Sequence, residues 1–464
     1  MNILKSGCIG LVLVTLLFGV ELTDKITQNG VTWTFDKQVA SGRFVNGDYY
    51  IVGPVTVINI DPKPENGRNG SSLNPAPNAD KSGYDSRLEM SRYDPSMRAP
   101  LPVSMKPGDM LVSSISVEKV GEIQNWLKKS ASHSPIKSYS VLTCLAVEPP
   151  KDAFRPSYAD GYSKDMKLFL AKDLKRDLLP RLAYGKKTYK VEKGSVGLKE
   201  LEDRFARTWL DILFFEYDTP VEYMTGYPAE TARAVGIATL ALMTDLKPEE
   251  KEKLLTGVVQ YGIDLWGLIR AGYPGWPGFG GHGSARKWPI IFAGMLLGDE
   301  AMSAPNKKYP NAKFGEDMQT MYGNGWTGAK VIYAGHLGQD GEKYKKGWGL
   351  YENLQPKDWP VASGDNSGFG KGTYIGENYR RCCTSHVWVG EALAARLMQA
   401  EKNWGHPAFF DYVDRWMTED DTAAIKIIKE QINQDYSADW QRQKRAWDPF
   451  VQEMWNKYRN NLPK

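Results

Sequence analysis

The chain has 464 residues, enough for one to three domains and a sizeable core. Its 42% hydrophobic and 25% charged content is that of an ordinary soluble globular protein. A net charge of +4 with no arginine-rich tract leaves no electrostatic footprint for nucleic acid.

The N-terminal stretch MNILKSGCIGLVLVTLLFGVELTDK places Lys5 ahead of an apolar run from Cys8 to Val20. That run has the length of a signal-peptide core and is short for a bilayer span. The expectation is a signal peptide over residues 1–22, a secreted or periplasmic protein, and no membrane span in the mature chain. Residues 23–150 read as a β-rich portion. The runs VTWTFDK, RFVNGDYYIVG, VTVINIDP, DMLVSSISV and SYSVLTCLAV are short, β-branched and aromatic, and Asn-Gly, Pro and Asp bound them. Pro62–Pro102 reads as a long loop between strands, and VEPPKDAFRPSYADGYSK as a linker.

Residues 165–464 turn helical in texture. Leu198–Phe215 sets Leu198, Leu201, Phe205, Trp209, Ile212 and Leu213 near one helical face. PAETARAVGIATLALMTDL and KPEEKEKLLTGVVQYGIDLWGLIRAG each open with proline and acidic residues, as a helix start should. KWPIIFAGMLLGDEAM, SHVWVGEALAARLMQAEKNWG, PAFFDYVDRWMTED and WDPFVQEMWNKYRNN continue the pattern. Helix pairs joined by long glycine- and aromatic-rich loops predict a mainly α fold. Its form would be an (α/α) barrel or toroid of paired helices, with the β-rich portion at its N-terminus.

Three loop regions carry the chemistry. GYPGWPGFGGHGSARKWPIIFAG puts Tyr273, Trp276, Phe279 and His282 where glycine and proline forbid regular structure, then leads Arg286 and Lys287 into a helix. His282 is expected to face a cleft together with Trp276 and Arg286. KFGEDMQTMYGNGWTGAKVIYAGHLG carries Glu316, Asp317, Tyr322, Trp326, Tyr333 and His336. GTYIGENYRRCCTSHVWVGEALAARLM carries Tyr374, Tyr379, Arg380 and Arg381, then a helix expected near Thr384 with His386 in its first turn. A guanidinium beside a tyrosine favours phenolate, which makes the Tyr379–Arg380 neighbourhood chemically suggestive. Cys144, Cys382 and Cys383 read as buried structural thiols. His133, His282, His336, His386 and His406 show no close metal-ligand spacing, and neither a metal nor another cofactor is expected.

Tyrosine, histidine and arginine on loops suit β-elimination from a uronic-acid polymer. Proton loss beside a carboxylate builds charge there; a cation or hydrogen-bond donor must neutralise it while Tyr or His moves the proton. With HGSARKWPIIFAG and YRRCCTSHVWVGEALAARLM, the region 165–464 resembles the polysaccharide lyases built on a paired-helix barrel. Those acting on glucuronan and alginate are the nearest in kind, polysaccharide lyase family thirty-eight among them. The resemblance implies an acidic polysaccharide as substrate, Tyr379 as proton shuttle, His282 as neutraliser or base, and Arg380 as the grip on the uronate. Tyr322 or Tyr333 stands as an alternative shuttle, with Arg286 and His336 in the catalytic set. Tyr273, Trp276, Trp326, Arg381 and His386 would bind substrate. Many such lyases present Asn before the histidine, whereas Gly281 stands here. Two rival readings remain open. One is a glycoside hydrolase using two carboxylates such as Glu316 with Asp317 or Asp365. The other is a non-catalytic carbohydrate-binding surface protein.

Overall fold

The structure is a computed structural model that describes residues 21–77, 81–89, 91–121, 134–212, 222, 227–362, 372–438 and 443–461. All but the last two residues of the expected signal peptide lie outside these, as do His133, Asp365 and the end of the helix expected over Leu198–Phe215.

The N-terminal portion forms one eight-stranded sheet. Its strands are β1 (Glu21–Gln28), β2 (Val31–Arg43), β3 (Tyr49–Val52), β4 (Val55–Asp61), β5 (Ser71–Leu73), β6 (Val103–Met105), β7 (Met110–Ser116) and β8 (Ile136–Leu145). The strand order is β5-β7-β8-β3-β2-β4-β6, with β1 also pairing β2. All neighbours are antiparallel except β3 and β8. The sheet curls into a half-barrel that stays open between β5 and β6. Period-2 alternation divides β7 and β8 between two cores. Met110, Val112, Tyr139 and Val141 pack into the large helical core, whereas Leu111, Leu142 and Cys144 fill the half-barrel with Val31, Trp33 and Phe35. Arg155 ties the two parts together, sealed between Asp48 and Asp264 at 2.5 and 2.6 Å.

Helices Ala229–Leu242 and Pro248–Arg270 arise where the sequence places them. The first is buried on every side, so its apolar residues circle it instead of forming a stripe. It packs on helix Ser385–Leu397 where Gly236 and Gly390 meet; a Cβ on Gly236 would lie 3.0 Å from the Gly390 Cα. Helix Pro248–Arg270 packs on Lys287–Leu297 through Gly262.

The fold class departs from the expectation. The chain is mixed α/β, with 38% helix and 20% strand, and does not form a mainly α (α/α) barrel or toroid. The physical reason lies in the connections. Between Arg270 and Lys287, and again between Phe314 and Ala362, the chain runs as loops, short strand pairs and single helical turns. Gly275–Trp276 pairs with Lys313–Phe314, and Thr320–Tyr322 with Val331–Tyr333, where a toroid would need further full helices. The helix expected from Leu198 stops at Phe205. There the Trp209 indole N–H donates to the Arg204 carbonyl at 3.1 Å, and the Asp211 amide donates to the Tyr158 hydroxyl at 3.0 Å. Those bonds hold the following residues as a strap, overriding a helical hydrophobic period.

Candidate active site

The site begins with two glycines. Gly280 takes a φ of +58°, and a Cβ there would collide with the Tyr379 ring, 2.2 Å away, and with His336 at 2.7 Å. At Gly281 a Cβ would lie 2.6 Å from the Ala229 Cβ and 2.7 Å from the Cys383 carbonyl. The Gly281 amide donates to the Tyr227 hydroxyl at 3.0 Å. Only a backbone without side chains passes this closely, and it carries His282 into the same cluster.

His282, half-buried, meets the Tyr227 ring edge-on at 4.9 Å between centroids. Tyr379, also half-buried, lies 4.1 Å from the His336 ring. His336 is fully buried and caged further by Phe279 at 4.3 Å and Trp348 at 4.7 Å. Neither ring nitrogen of His336 has a hydrogen-bond partner among the described residues. Burial, then the His282 and Lys345 charges, push its pKa well below the ordinary value of 6.5, so the ring is neutral. The fold thus brings together three of the anticipated residues, His282, Tyr379 and His336, and adds Tyr227, which periodicity and motif reasoning passed over.

The anticipated arginines go elsewhere. Tyr379 and Arg380 are neighbours on a helical backbone, and about 100° per residue sends their side chains apart. Arg380 donates to the Tyr412 hydroxyl at 3.0 Å and pairs with Glu377 at 3.2 Å and Glu352 at 3.7 Å. Arg381 holds Glu377 at 2.5 Å and Asp421 at 2.7 Å, and Arg415 holds Glu352 at 2.6 Å. Burial alone would raise Glu352; the Arg380 and Arg415 charges outweigh it and hold its carboxyl at about 2. Arg286 is buried against Asp211 at 2.9 Å and donates to the Ser284 carbonyl at 2.7 Å. Each guanidinium is already neutralised by the chain's own carboxylates.

The remaining residues are equally specific in their placement. Trp276 and Tyr273 are buried in the core, 5.1 Å apart, so the expected wall of Trp276, Arg286 and His282 does not assemble. Tyr333 is fully buried and accepts from Gln319 at 2.6 Å. Tyr322, exposed, donates to Asp411 at 2.6 Å. Trp326 is half-buried near Trp359, 6.3 Å between rings. His386 does sit in the first turn of its helix, but buried against Trp447 at 4.6 Å. Burial, then Arg445 and Arg233, push its pKa down to about 3.

The carboxylates of the hydrolase reading are also engaged. Asp317 takes Lys287 and the Trp404 indole N–H. Glu316 accepts the Ala285 amide at 2.5 Å and interacts with Glu391 in a sealed space. Burial raises the Glu316 carboxyl above the usual carboxylate range, and burial with the Glu316 charge raises Glu391 well above it. Cys382 and Cys383 are not thiols but a disulfide between neighbours. It lies in the wide turn Arg380–Thr384, whose i→i+5 hydrogen bonding separates Tyr379 from the next helix. Among the described residues no His, Cys, Asp and Glu group has the makings of a metal site, and no helix is long and apolar enough to cross a membrane.

Comparison with protein-family models, with curated proteins and with solved structures finds no match. The resemblance to paired-helix lyases is therefore corrected on two grounds: the fold is a mixed α/β one with an open half-barrel, and no homology to a lyase family is shown.

Proposed function

We propose that this chain is an acid–base enzyme that cleaves a uronic-acid polysaccharide by β-elimination, with Tyr379 as its proton shuttle and His282 as the group that neutralises the carboxylate. One observation carries the reading: the Gly280–Gly281 backbone runs against Tyr379 and a neutral, caged His336 and leads directly into His282, with His282 and Tyr379 both only part-buried. A hydroxyl and an imidazole at one surface-reaching cluster are the minimum for moving a proton off carbon and onto a leaving oxygen.

In this reading Tyr379, as its phenolate, removes the proton on the ring carbon next to the uronate carboxylate. The released electron pair forms a double bond to the neighbouring ring carbon, whose glycosidic carbon–oxygen bond breaks. Tyr379 then returns that proton to the departing oxygen. Arg380 and Arg381, bound to Glu377, Glu352 and Asp421, leave neutralisation of the carboxylate to His282. His336 is a positioning residue, since a neutral buried ring supplies no charge. A hydrolase would need an accessible carboxylate pair, and Glu316 with Glu391 is sealed while Asp317 is ion-paired. Secretion or a periplasmic location belongs to the same proposal, supported by the N-terminal apolar run and the Cys382–Cys383 disulfide.

The test is to incubate the protein with glucuronan, alginate and a neutral glucan while following ultraviolet absorbance and reducing ends. Elimination gives an absorbing unsaturated uronate; new reducing ends without absorbance, or no cleavage of any uronan, overturns the reading.

A further inference from the structure

A cavity of about 450 Å³ lies away from the His–Tyr cluster, and none of the cluster's residues line it. It lies where the half-barrel fails to close. Ser72 and Leu73 of β5 form one side, Val103 and Ser104 of β6 the other; these are the two ends of the sheet order. A strap over residues 95–100 spans the gap, anchored by the Ala99 amide on the Ser71 carbonyl at 2.7 Å and the Ser72 hydroxyl on the Met97 carbonyl at 2.9 Å. An unclosed sheet normally needs its edges covered. Here the cover leaves a pocket within the 300–1,000 Å³ range, roughly, of small-molecule sites.

The charge carried by the described residues of its lining has one sign. Among the described residues Lys81 and Arg98 line the cavity, and no carboxylate does. The buried Arg155, Arg233, Arg286, Arg380, Arg381 and Arg415 each hold at least one carboxylate. Among the described residues Arg98 instead reaches only neutral oxygens, the Tyr93 hydroxyl at 3.5 Å and the Arg68 carbonyl at 3.3 Å, both long for such bonds. Asp94, whose charge Lys81 feels, is turned to Ser96 and is outside the lining. In the wall, the Ser82 hydroxyl is buried with no partner among the described residues. Pro75, Pro100 and Pro102 supply flat apolar faces between these polar groups.

We propose that this pocket binds a carboxylate-bearing sugar unit, with Arg98 and Lys81 on the carboxylate and the prolines against the ring. A uronate combines what the lining offers: one negative charge, hydroxyls for side-chain and edge backbone groups, and an apolar ring face. The compact volume favours a sugar of one or two units over an extended acidic peptide laid along a sheet edge. Binding here needs no elimination chemistry, so the site stands or falls apart from the catalytic proposal.

The test is calorimetric titration of the full chain with a glucuronate trimer, cellotriose, hexaglutamate and inorganic phosphate. The trimer is expected to bind, with affinity falling at least tenfold in Arg98→Ala, several-fold in Lys81→Ala, and on raising the salt. Arg98→Lys restores only part, because lysine lacks the fork. Ser104→Trp, which fills the cavity from an exposed position, should abolish binding; it serves as the check if Arg98→Ala lowers the unfolding midpoint. No trimer binding, equal trimer affinity in Arg98→Ala and Ser104→Trp, or cellotriose, hexaglutamate or phosphate binding as tightly as the trimer overturns the assignment.

Discussion

His386 offers the most quantitative consequence of the fold. Its ring is buried on helix Ser385–Leu397, beside the Arg233–Asp448 ion pair, with Arg445 and Glu192 also acting on it. Burial comes first in depressing its pKa from 6.5 to about 3, followed by the charges of Arg445 and Arg233; the Arg381 backbone pulls the other way. A histidine with a lowered folded pKa binds fewer protons folded than unfolded. Its neutral form therefore stabilises the fold above pH 6.5, and that stability is lost as pH falls from 6.5 toward 3. At pH 5 the unfolded histidine is largely protonated while the folded one is not, a cost of about 2 kcal/mol relative to pH 7. Urea unfolding at pH 5, 6 and 7, followed by tryptophan fluorescence, should show wild type losing about 2 kcal/mol more than His386→Gln over that interval. The variant keeps His336 and every carboxylate, so their titrations cancel in the comparison. Parallel pH profiles would refute a buried, neutral His386 and return it to the list of substrate-facing groups.

Glu352→Gln should cost about 3–5 kcal/mol in urea unfolding, because Arg380 and Arg415 stay buried with too little negative charge; a loss under about 1 kcal/mol would contradict the network. Glu391 has a raised folded pKa, so the native state retains a proton that the unfolded state sheds as pH rises above 4.5. Stability of Glu391→Gln relative to wild type should consequently increase from pH 4.5 to neutrality, and a pH-independent difference would argue against the sealed pair. Gly281→Ala must push Ala229 or the Cys383 backbone aside, at about 1–3 kcal/mol, and should depress turnover by moving His282; an unfolding midpoint and activity equal to wild type would show the loop is not so constrained.

What the sequence made legible was local. Pro248 with Glu249 and Glu250 announces the start of its helix, and the β-branched runs announce β2, β4, β7 and β8, because each signal lies within a few residues. The packing of those helices was not legible. Gly236 against Gly390 joins segments far apart in the chain, and nothing in either helix says that its partner is that one and not the next helix of a toroid. The same limit governs the site. A histidine between glycines and a tyrosine before two arginines mark loops with chemical content, and His282, Tyr379 and His336 do converge. The arginines looked equally functional because their neutralisers, Glu352, Asp211 and Asp421, come from other elements. Tyr227 carries no local signature; its hydroxyl matters only because the Gly281 amide reaches it.

The most direct test of the catalytic claim is the turnover of Tyr379→Phe on a saturating uronan, measured by ultraviolet absorbance beside polymer binding by the same protein. The substitution removes one oxygen and leaves the ring that packs on His336. General acid–base transfer contributes about a hundred- to ten-thousandfold. The expected result is a loss of that size in turnover with binding nearly unchanged. A Tyr379→Phe enzyme that still produces unsaturated uronate at the wild-type rate would contradict the assignment of Tyr379 as proton shuttle.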